Sequence, residues 1–549
     1  MPTTESVTYD PKRKVWSTPN YPHWDFINQS VGAAFLKQMR ALPANHVLEY
    51  YVDTDERITV GQMYRASVAV ARNLSRLGLQ RGEIVLVYAS NNVKVTPLIM
   101  GAWLMGARVN IFDTSMVPEY VDATFQLLQP VFIFYEELCA SAVADSLKRS
   151  PLNCVRYKLS LDDTKFSSEL LQPVTEDELA NFVPSRVDDP QNESVMLGLT
   201  SGTTGPPKVA DISHSLLLHG ASTFLCHTIL TTPPFVDTTI FAFSPLRWIS
   251  QVNMMLISLL FGAKRVCATK PANGPYGCDI IKKTRVTHLF LAPQFFYKIL
   301  DTLAENDTES MSVLRSIQIG GEAPSTALRA LVRKHCVNAK IYCTFGMTEL
   351  SGVIAQDEHI NAGKLVSGLQ MQILDDHMQP LGPNQRGRLY IKSPVPYKPY
   401  LKIDSSGYYF ADGFFLNGDY GYVDEQNNLH VESRYKDLVR TKDVIIIPNN
   451  VENLIGQLPE VAMAQLVGFK KSKDSTADAC ALFVKLKNAS NTSPESVIKK
   501  IRTDLTHKLG ALENSRIEKI HIVSKMPLTS CGKIDRIELQ RHASAMAYD

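Results

Sequence analysis

The chain of 549 residues is longer than a single hydrophobic core usually serves, so two or more domains are expected. Hydrophobic residues make up 45% of the chain and charged residues 20%, which is typical of a globular protein and excludes a disordered one. The net charge of +2 gives no electrostatic reason to expect nucleic acid or a membrane surface as a partner.

Short apolar strands alternate with helices through the first two thirds of the chain. Residues 1–60 are expected to form an irregular arm that enters a helix at 31–42, and a long helix is predicted to follow from Thr59 until Gly78 ends it. Residues 158–190 are polar and are predicted to be irregular. The alternation predicts a body of parallel α/β units.

The periodicity changes at about residue 364. Short alternating strands separated by Gly, Pro and Asn predict an antiparallel β subdomain at about 364–432. Residues 433–549 predict a small α+β domain. The predicted organisation is therefore an N-terminal domain of residues 1–432 followed by a C-terminal domain.

One stretch, Leu199-Thr-Ser-Gly-Thr-Thr-Gly-Pro-Pro-Lys208, places four hydroxyls and two glycines just after an apolar strand. Glycine lets the backbone approach a ligand closely, and successive N–H groups in such a loop form an anion nest. A lysine a few residues later can reach a phosphate. The pattern favours a triphosphate over a flexible linker, and it differs from a Walker loop. A helix predicted at 213–225 would place its N-terminus near this loop.

Four further stretches are each ambiguous alone. Gly320-Gly-Glu-Ala-Pro324 could seat a flat ring or form a plain turn, and Glu349 could hold Mg²⁺ or cap a helix. Asp419, predicted to lie in a turn, could accept from ribose hydroxyls or be an ordinary turn residue. Lys533 lies in a glycine-flanked loop where an exposed, solvated lysine is the default interpretation.

In their order along the chain, these motifs resemble the adenylate-forming superfamily, and within it the luciferase-like and 4-coumarate–CoA ligase-like acyl-CoA synthetases. The resemblance implies that the hydroxyl loop grips the β- and γ-phosphates, that the Gly-Gly-Glu-Ala-Pro stretch flanks adenine, and that Lys533 bridges the carboxylate and the α-phosphate. It further implies that Thr348 touches the α-phosphate, that Glu349 ligates Mg²⁺, and that Trp248, Ile249 and Phe345 line the acyl pocket. The nucleotide-binding residues that it implies are Thr200, Ser201, Gly202, Thr203, Thr204, Gly205, Lys208, Gly321, Glu322, Ala323, Asp419 and Arg434.

The implied reaction joins a fatty or aromatic carboxylic acid to AMP, releases pyrophosphate, and then transfers the acyl group to CoA. ATP, Mg²⁺ and CoA are the implied cofactors, and the small C-terminal domain is expected to be mobile about a hinge near Ser433. The sequence leaves the acid and the oligomeric state open.

Several positions depart from the family pattern, and they leave alternatives open. Val209 and Asp443 stand where the family usually has glycine, and Ser433 where it has aspartate. One alternative is a degenerate member that binds nucleotide or an acyl ligand without turnover. Another is an enzyme that forms the adenylate but transfers it poorly to CoA, because Asp443 adds a carboxylate beside the implied pantetheine path.

Cysteines and chain ends bear on the compartment. The nine cysteines lack disulfide or metal spacing, which predicts reduced thiols inside a cell. No secretory signal, transmembrane run or C-terminal Ser-Lys-Leu is found. A cytoplasmic protein is therefore predicted, with the peroxisome left open.

Overall fold

The computed structural model describes residues 7–19, 28–200, 208–226, 235–360, 362–396, 398, 400–404, 406–471, 475–487, 493–508, 511–528 and 534–546. The helices are α1 (Val31–Ala41), α2 (Val60–Arg76), α3 (Val95–Leu104), α4 (Pro118–Leu128), α5 (Ala140–Arg149), α6 (Glu176–Asn181), α7 (His214–Cys226), α8 (Ile249–Phe261), α9 (Gly274–Thr284), α10 (Pro293–Leu300), α11 (Thr326–His335), α12 (Pro448–Ile455), α13 (Pro494–Lys508), α14 (Ala511–Arg516) and α15 (Arg536–Ala545).

The first fifteen strands are β1 (Thr8–Asp10), β2 (Val15–Ser17), β3 (Val47–Tyr51), β4 (Glu56–Thr59), β5 (Ile84–Tyr88), β6 (Arg108–Phe112), β7 (Phe132–Tyr135), β8 (Tyr157–Ser160), β9 (Ser194–Leu199), β10 (Val209–Ser213), β11 (Thr239–Ala242), β12 (Lys264–Cys267), β13 (His288–Leu291), β14 (Ser316–Gly320) and β15 (Lys340–Met347). The others are β16 (Gly352–Asp357), β17 (Ala362–Leu365), β18 (Gln370–Leu374), β19 (Gly387–Lys392), β20 (Tyr409–Phe410), β21 (Phe414–Val423), β22 (Leu429–Arg434), β23 (Val439–Arg440), β24 (Ile445–Ile446), β25 (Val461–Phe469), β26 (Ala479–Leu486) and β27 (Ile517–Val523).

Two sheets form the body of the protein, as the predicted α/β class requires. One runs in the order β10-β9-β6-β5-β7-β8, and the other begins at β4 and β3 and continues through β12, β11, β13, β14 and β15. Apart from the edge strands β4 and β10, these strands pair in parallel. Helices α3 and α8 are buried along almost their whole length. They share one hydrophobic cluster with residues of both sheets, so the core lies between the sheets.

The second sheet does not end with the parallel strands. Beyond β15 it continues through β16, β17, β22, β21, β19 and β18 by antiparallel pairing. It then takes in β2 and β1 from the N-terminus. The prediction of an irregular N-terminal arm was therefore wrong in part: residues 8–17 extend the β subdomain, and β3 joins the parallel sheet.

Local signals placed many elements correctly. Helix α2 begins at a capping box, because the Thr59 side chain accepts from Gln62 N and the Gln62 side chain accepts from Thr59 N. It ends before Gly78, whose φ of +86° suits glycine. Between 158 and 190, however, the chain forms the end of β8, a π-helical turn (Phe166–Leu170) and α6 rather than a wholly irregular segment.

A buried ion pair joins two strands of the parallel sheet. Arg265 on β12 lies beside Glu49 on β3, with Nη1 2.6 Å from Oε1 and relative side-chain exposures of 2% and 0%. Glu49 also accepts from Thr96 of α3 and from Tyr51. Arg265 donates to Asn91 as well, so the charges have several polar partners, as buried ions require.

The described residues after Val439 build cores of their own. Strands β25, β26 and β27 form a three-stranded sheet, packed with α12, α13 and α15. Both hydrophobic clusters here consist only of residues from Val439 onward. Residues 536–545, which the sequence had not marked as a helix, are α15. No helix among the described residues is long and apolar enough to cross a membrane.

Candidate adenylate-forming site

The hydroxyl loop connects β9 to β10 in an antiparallel hairpin. Thr200 N and Oγ1 both donate to Lys208 O, at 2.9 and 3.2 Å, and Leu199 pairs with Val209. These contacts close the stem of the loop. Ser201, Gly202, Thr203, Thr204 and Gly205 lie outside the described residues, so their predicted phosphate contacts stay predictions.

The helix predicted at 213–225 is present as α7, but its N-terminus does not lie next to Lys208 as expected. Strand β10 occupies residues 209–213, and at about 3.3 Å per residue it carries the chain roughly 15 Å from Lys208 before α7 starts. The first residue of α7, His214, accepts a hydrogen bond from Val31 N instead. Strand β10 therefore separates the α7 N-terminus from Lys208.

Lys208 is held by two tyrosines that the sequence had not indicated. Its Nζ donates to the Tyr408 hydroxyl at 2.6 Å and lies 4.6 Å from the Tyr400 ring centroid and 4.9 Å from that of Tyr408. Each distance falls within the range of cation–π interactions. No local pattern could have revealed these partners, because they follow Lys208 by about 200 residues.

The turn after β15 carries the predicted Thr348 and Glu349. It lies against the β9 strand, since a Cβ built on Gly198 would come 3.0 Å from Thr348 Cγ2. The Tyr400 hydroxyl donates to Glu349 Oε1 at 2.6 Å. Burial raises the pKa of Tyr400, and the Glu349 charge raises it further, so Tyr400 remains a hydroxyl donor at neutral pH. Glu349 is thereby connected to Lys208 through one side chain.

Asp419 and Arg434 meet across neighbouring strands. Asp419 lies within β21 rather than in the predicted turn, and it pairs in register with Arg434 at the end of β22. Arg434 Nε lies 3.2 Å from Asp419 Oδ1, and Asn417 Nδ2 donates to Asp419 Oδ2 at 2.7 Å. Gly418, with φ +84°, allows the strand to curl so that Asn417 and Asp419 contact each other.

The charge of Glu349 also acts on this pair. Asp419 is the main reason that the pKa of Arg434 is raised, and Glu349 raises it further. Lys436, two residues after Arg434, is affected by the charge of Arg434. Burial lowers the pKa of Lys436, and the charges of Arg434 and Lys208 lower it further. Several cations therefore converge near two carboxylates.

The third group of predicted residues lies at the end of β14. Gly321 has φ +89°, a left-handed conformation that favours glycine, and Glu322 and Ala323 are exposed. A Cβ built on Gly321 would come 3.9 Å from Trp248 Cζ3. The Gly-Gly-Glu-Ala-Pro turn and Trp248 are therefore neighbours.

Trp248 occupies the N-cap position of α8, and Ile249 begins that helix. Ile249 and Phe345 are both partly buried against the main hydrophobic cluster. Arg247, just before Trp248, forms a buried ion pair with Asp113, with relative side-chain exposures of 8% and 7%. Asp113, which directly follows β6, could not be identified as the partner of Arg247 from the sequence, because 134 residues separate these two residues.

Asp443 and Ser433 have defined environments. The Asp443 carboxylate is ion-paired with Arg516 at the end of α14, and both side chains are 38% exposed. Ser433 is buried in β22 and pairs in register with Tyr420. Lys533 lies outside the described residues, and its catalytic role stays a prediction.

Comparison with known proteins identifies the family of this chain. The family model described as AMP-binding enzyme matches residues 35–401, about two thirds of the chain. The chain belongs to the AMP-binding enzyme family. The match spans the hydroxyl loop, the Gly-Gly-Glu-Ala-Pro turn and Glu349, so the resemblance seen in the ordered motifs is confirmed.

Curated relatives are similar to this AMP-binding enzyme along nearly their whole length. A probable CoA ligase of Humulus lupulus is 24% identical over 524 residues, 91% of each chain. A 4-coumarate–CoA ligase of Narcissus pseudonarcissus is 23% identical over 510 residues, 90% of each chain. The crystal structure of an anthranilate CoA ligase with anthranoyl-AMP has a TM-score of 0.83 at 20% identity and covers 95% of this chain and 99% of its own. At this identity the structural likeness shows the fold.

Proposed function

We propose that this AMP-binding enzyme is an AMP-forming acyl-CoA synthetase, which activates a fatty or aromatic carboxylic acid with ATP and transfers the acyl group to CoA. The supporting observation is the convergence of Lys208, Glu349 and the Asp419–Arg434 pair, three groups from distant parts of the sequence. They are connected through the contacts of Tyr400 and through the effects of their charges on one another. The relatives that are named as CoA ligases support the same activity.

In the proposed first step a carboxylate oxygen of the acid attacks the α-phosphorus of ATP, and pyrophosphate leaves. Lys208 would neutralise the leaving pyrophosphate, and the Asp419 carboxylate would accept from the ribose hydroxyls. Gly321, Glu322 and Ala323 would flank adenine. Lys533 would bridge the attacking carboxylate and the α-phosphate, which offsets the repulsion between two anions.

Mg²⁺ fits the residues that are present. Among the described parts of the chain, no three His, Cys, Asp or Glu side chains come together as a protein-only metal cage. Mg²⁺ usually takes one or two carboxylates together with substrate phosphates, so Glu349 alone suits it. A bound Mg²⁺ would offset phosphate charge.

In the proposed second step the CoA thiol, as thiolate, attacks the acyl carbon, and the bond to AMP breaks. The acyl group would lie against Trp248, Ile249 and Phe345. We further propose that residues 433–549 move as a unit about a hinge near Ser433 between the two steps. The separate hydrophobic clusters after Val439 support this division. The proposed location is cytoplasmic.

A second candidate is an enzyme that forms the adenylate but transfers it poorly to CoA. It is favoured by Asp443, whose carboxylate is paired with Arg516 where the family pattern has glycine. One experiment separates the candidates: pyrophosphate exchange and CoA-thioester formation measured separately over a panel of acids. Exchange together with thioester supports the synthetase, exchange alone supports the second candidate, and neither for any acid refutes both.

A further inference from the structure

Lys208 is enclosed by an aromatic cage, which we define as the rings of Tyr400 and Tyr408. The two rings are T-shaped, with centroids 5.4 Å apart and planes at 70°. The Lys208 ammonium lies over both rings and donates one N–H to the Tyr408 hydroxyl. An ammonium has three donors, and Tyr408 is its one hydrogen-bond acceptor in the described part of the chain, so two donors remain there for a ligand.

The Lys208 ammonium forms no ion pair with the described residues. Among the described residues no carboxylate lies within 4.0 Å of Lys208 Nζ. The tyrosines orient the cation without neutralising it, because a ring face and a hydroxyl carry no net charge. A lysine side chain loses rotamer freedom when it is fixed, so a cage that fixes it beforehand lowers the free-energy cost of binding an anion.

The cage is itself attached to the strand that follows Lys208. Leu401 N donates to Val209 O at 2.8 Å, and the backbones of Lys398 and Asp211 form an isolated antiparallel β-bridge. Tyr408 stacks on Phe415, which is 1% exposed, at a centroid distance of 5.8 Å. The rings and the lysine backbone are thus held in one frame.

Tyr400 contacts two charged groups, Glu349 and Lys208. Its hydroxyl donates to Glu349 while its ring faces Lys208. The position of the lysine is therefore coupled to the position of the carboxylate on the other side of the ring.

We propose that Tyr400 and Tyr408 are positioning residues that hold the Lys208 ammonium ready for the triphosphate of ATP, a role that rests on the proposed function. The tyrosines do not touch the reacting atoms. They act through Lys208, with Tyr408 supplying a hydrogen bond and Tyr400 a ring together with the contact to Glu349.

The test begins without nucleotide or acid. The acetylation rate of Lys208 by an amine-directed reagent is followed by peptide mass spectrometry in the full chain. Tyr408→Phe keeps the ring but removes the hydrogen bond, and we expect it to raise the rate about threefold to tenfold, whereas Tyr408→Leu raises it further. Tyr400→Phe keeps its ring over the lysine, so it changes the rate less than twofold. An unchanged rate in Tyr408→Leu overturns the cage.

The second measurement is ATP affinity by calorimetry, without acid. Tyr408→Phe is expected to weaken ATP binding about threefold to tenfold, because the lysine must then be ordered on binding. Tighter or unchanged binding overturns the positioning role. Tyr409→Phe is the matched control, since Tyr409 is adjacent but contacts Phe415 instead, and it should change neither quantity.

The two measurements also separate this proposal from the proposed function. If no acid is turned over while the variants change the acetylation rate and the ATP affinity as expected, the cage is supported and the proposed synthetase activity is refuted. If acids turn over normally in Tyr408→Leu with wild-type labelling, the activity stands and the cage falls.

Discussion

Replacing Asp419 by asparagine should weaken ATP binding far more than it destabilises the protein. The proposed role of the carboxylate is to accept hydrogen bonds from the ribose, and a hydrogen bond to a charged group contributes about 1.5–3 kcal/mol. That loss corresponds to a decrease in ATP affinity of roughly tenfold to 150-fold. We expect the KM for ATP to rise by this factor.

The effect on stability should be small for a structural reason. Asparagine retains an oxygen that can still accept from Asn417 Nδ2, which in the wild type donates to Asp419 Oδ2 at 2.7 Å. The charge lost from the pair with Arg434 acts on a side chain that is 49% exposed, where solvent screening limits such pairs to about 1 kcal/mol or less. Asp419→Asn should therefore fold like the wild type.

The assays are ATP-dependent pyrophosphate exchange and calorimetry with ATP alone. The control is Glu432→Gln on the neighbouring strand β22, which loses a 2.8 Å ion pair with Arg386 but has no proposed contact with nucleotide. An ATP affinity of Asp419→Asn within twofold of wild type, with the fold intact, would refute the assignment of Asp419 to the ribose.

The remaining predictions test the other charged groups. Lys533→Ala should slow adenylate formation by roughly 10²–10³ but leave transfer from preformed adenylate nearly unchanged, and equal losses in single-turnover assays of both steps would contradict its role. If the second candidate is right and CoA transfer is poor, Asp443→Gly should raise thioester output without changing pyrophosphate exchange, and it should cost at most about 1 kcal/mol because its ion pair is partly exposed; no change in either rate would refute that explanation. Arg265→Met should lower stability in urea by about 3–5 kcal/mol, because it leaves Glu49 charged and buried; a loss under 1 kcal/mol would contradict this. Burial lowers the pKa of His214 from 6.5 to about 4, so the unfolded chain binds the extra proton and stability should fall as pH drops from 6.5 towards 4; His214→Asn should flatten this loss, and equal slopes would contradict it.

Signals within a few residues of one another predicted much of the fold. The capping residue Thr59 and the stop at Gly78 set the ends of α2, and short apolar runs marked the parallel strands. The helix predicted at 213–225 agrees with α7 within one residue at each end, but the strand β10 before it was not predicted, because a run of five residues is too short for periodicity to identify.

The site was predictable only where its residues lie in recognisable local motifs. Lys208, Glu349 and Asp419 were predicted in this way, and their roles stay predictions. Tyr400 and Tyr408 were not, because a cation–π contact across about 200 residues leaves no local pattern. The partner of Asp443 was missed for the same reason, since Arg516 lies 73 residues further along the chain.

The ion pair with Arg516 indicates that the size of the Asp443 side chain, rather than its charge, would hinder transfer to CoA. A free carboxylate beside a thiol path would repel the incoming thiolate, but the Arg516 guanidinium already neutralises this one. What glycine would provide, and aspartate cannot, is space for a close approach. Asp443→Asn therefore separates the two causes: it removes the charge and keeps the bulk, so thioester output should stay close to wild type if shape is limiting. A rise in Asp443→Asn that matches Asp443→Gly would show that the carboxylate charge limits transfer despite Arg516.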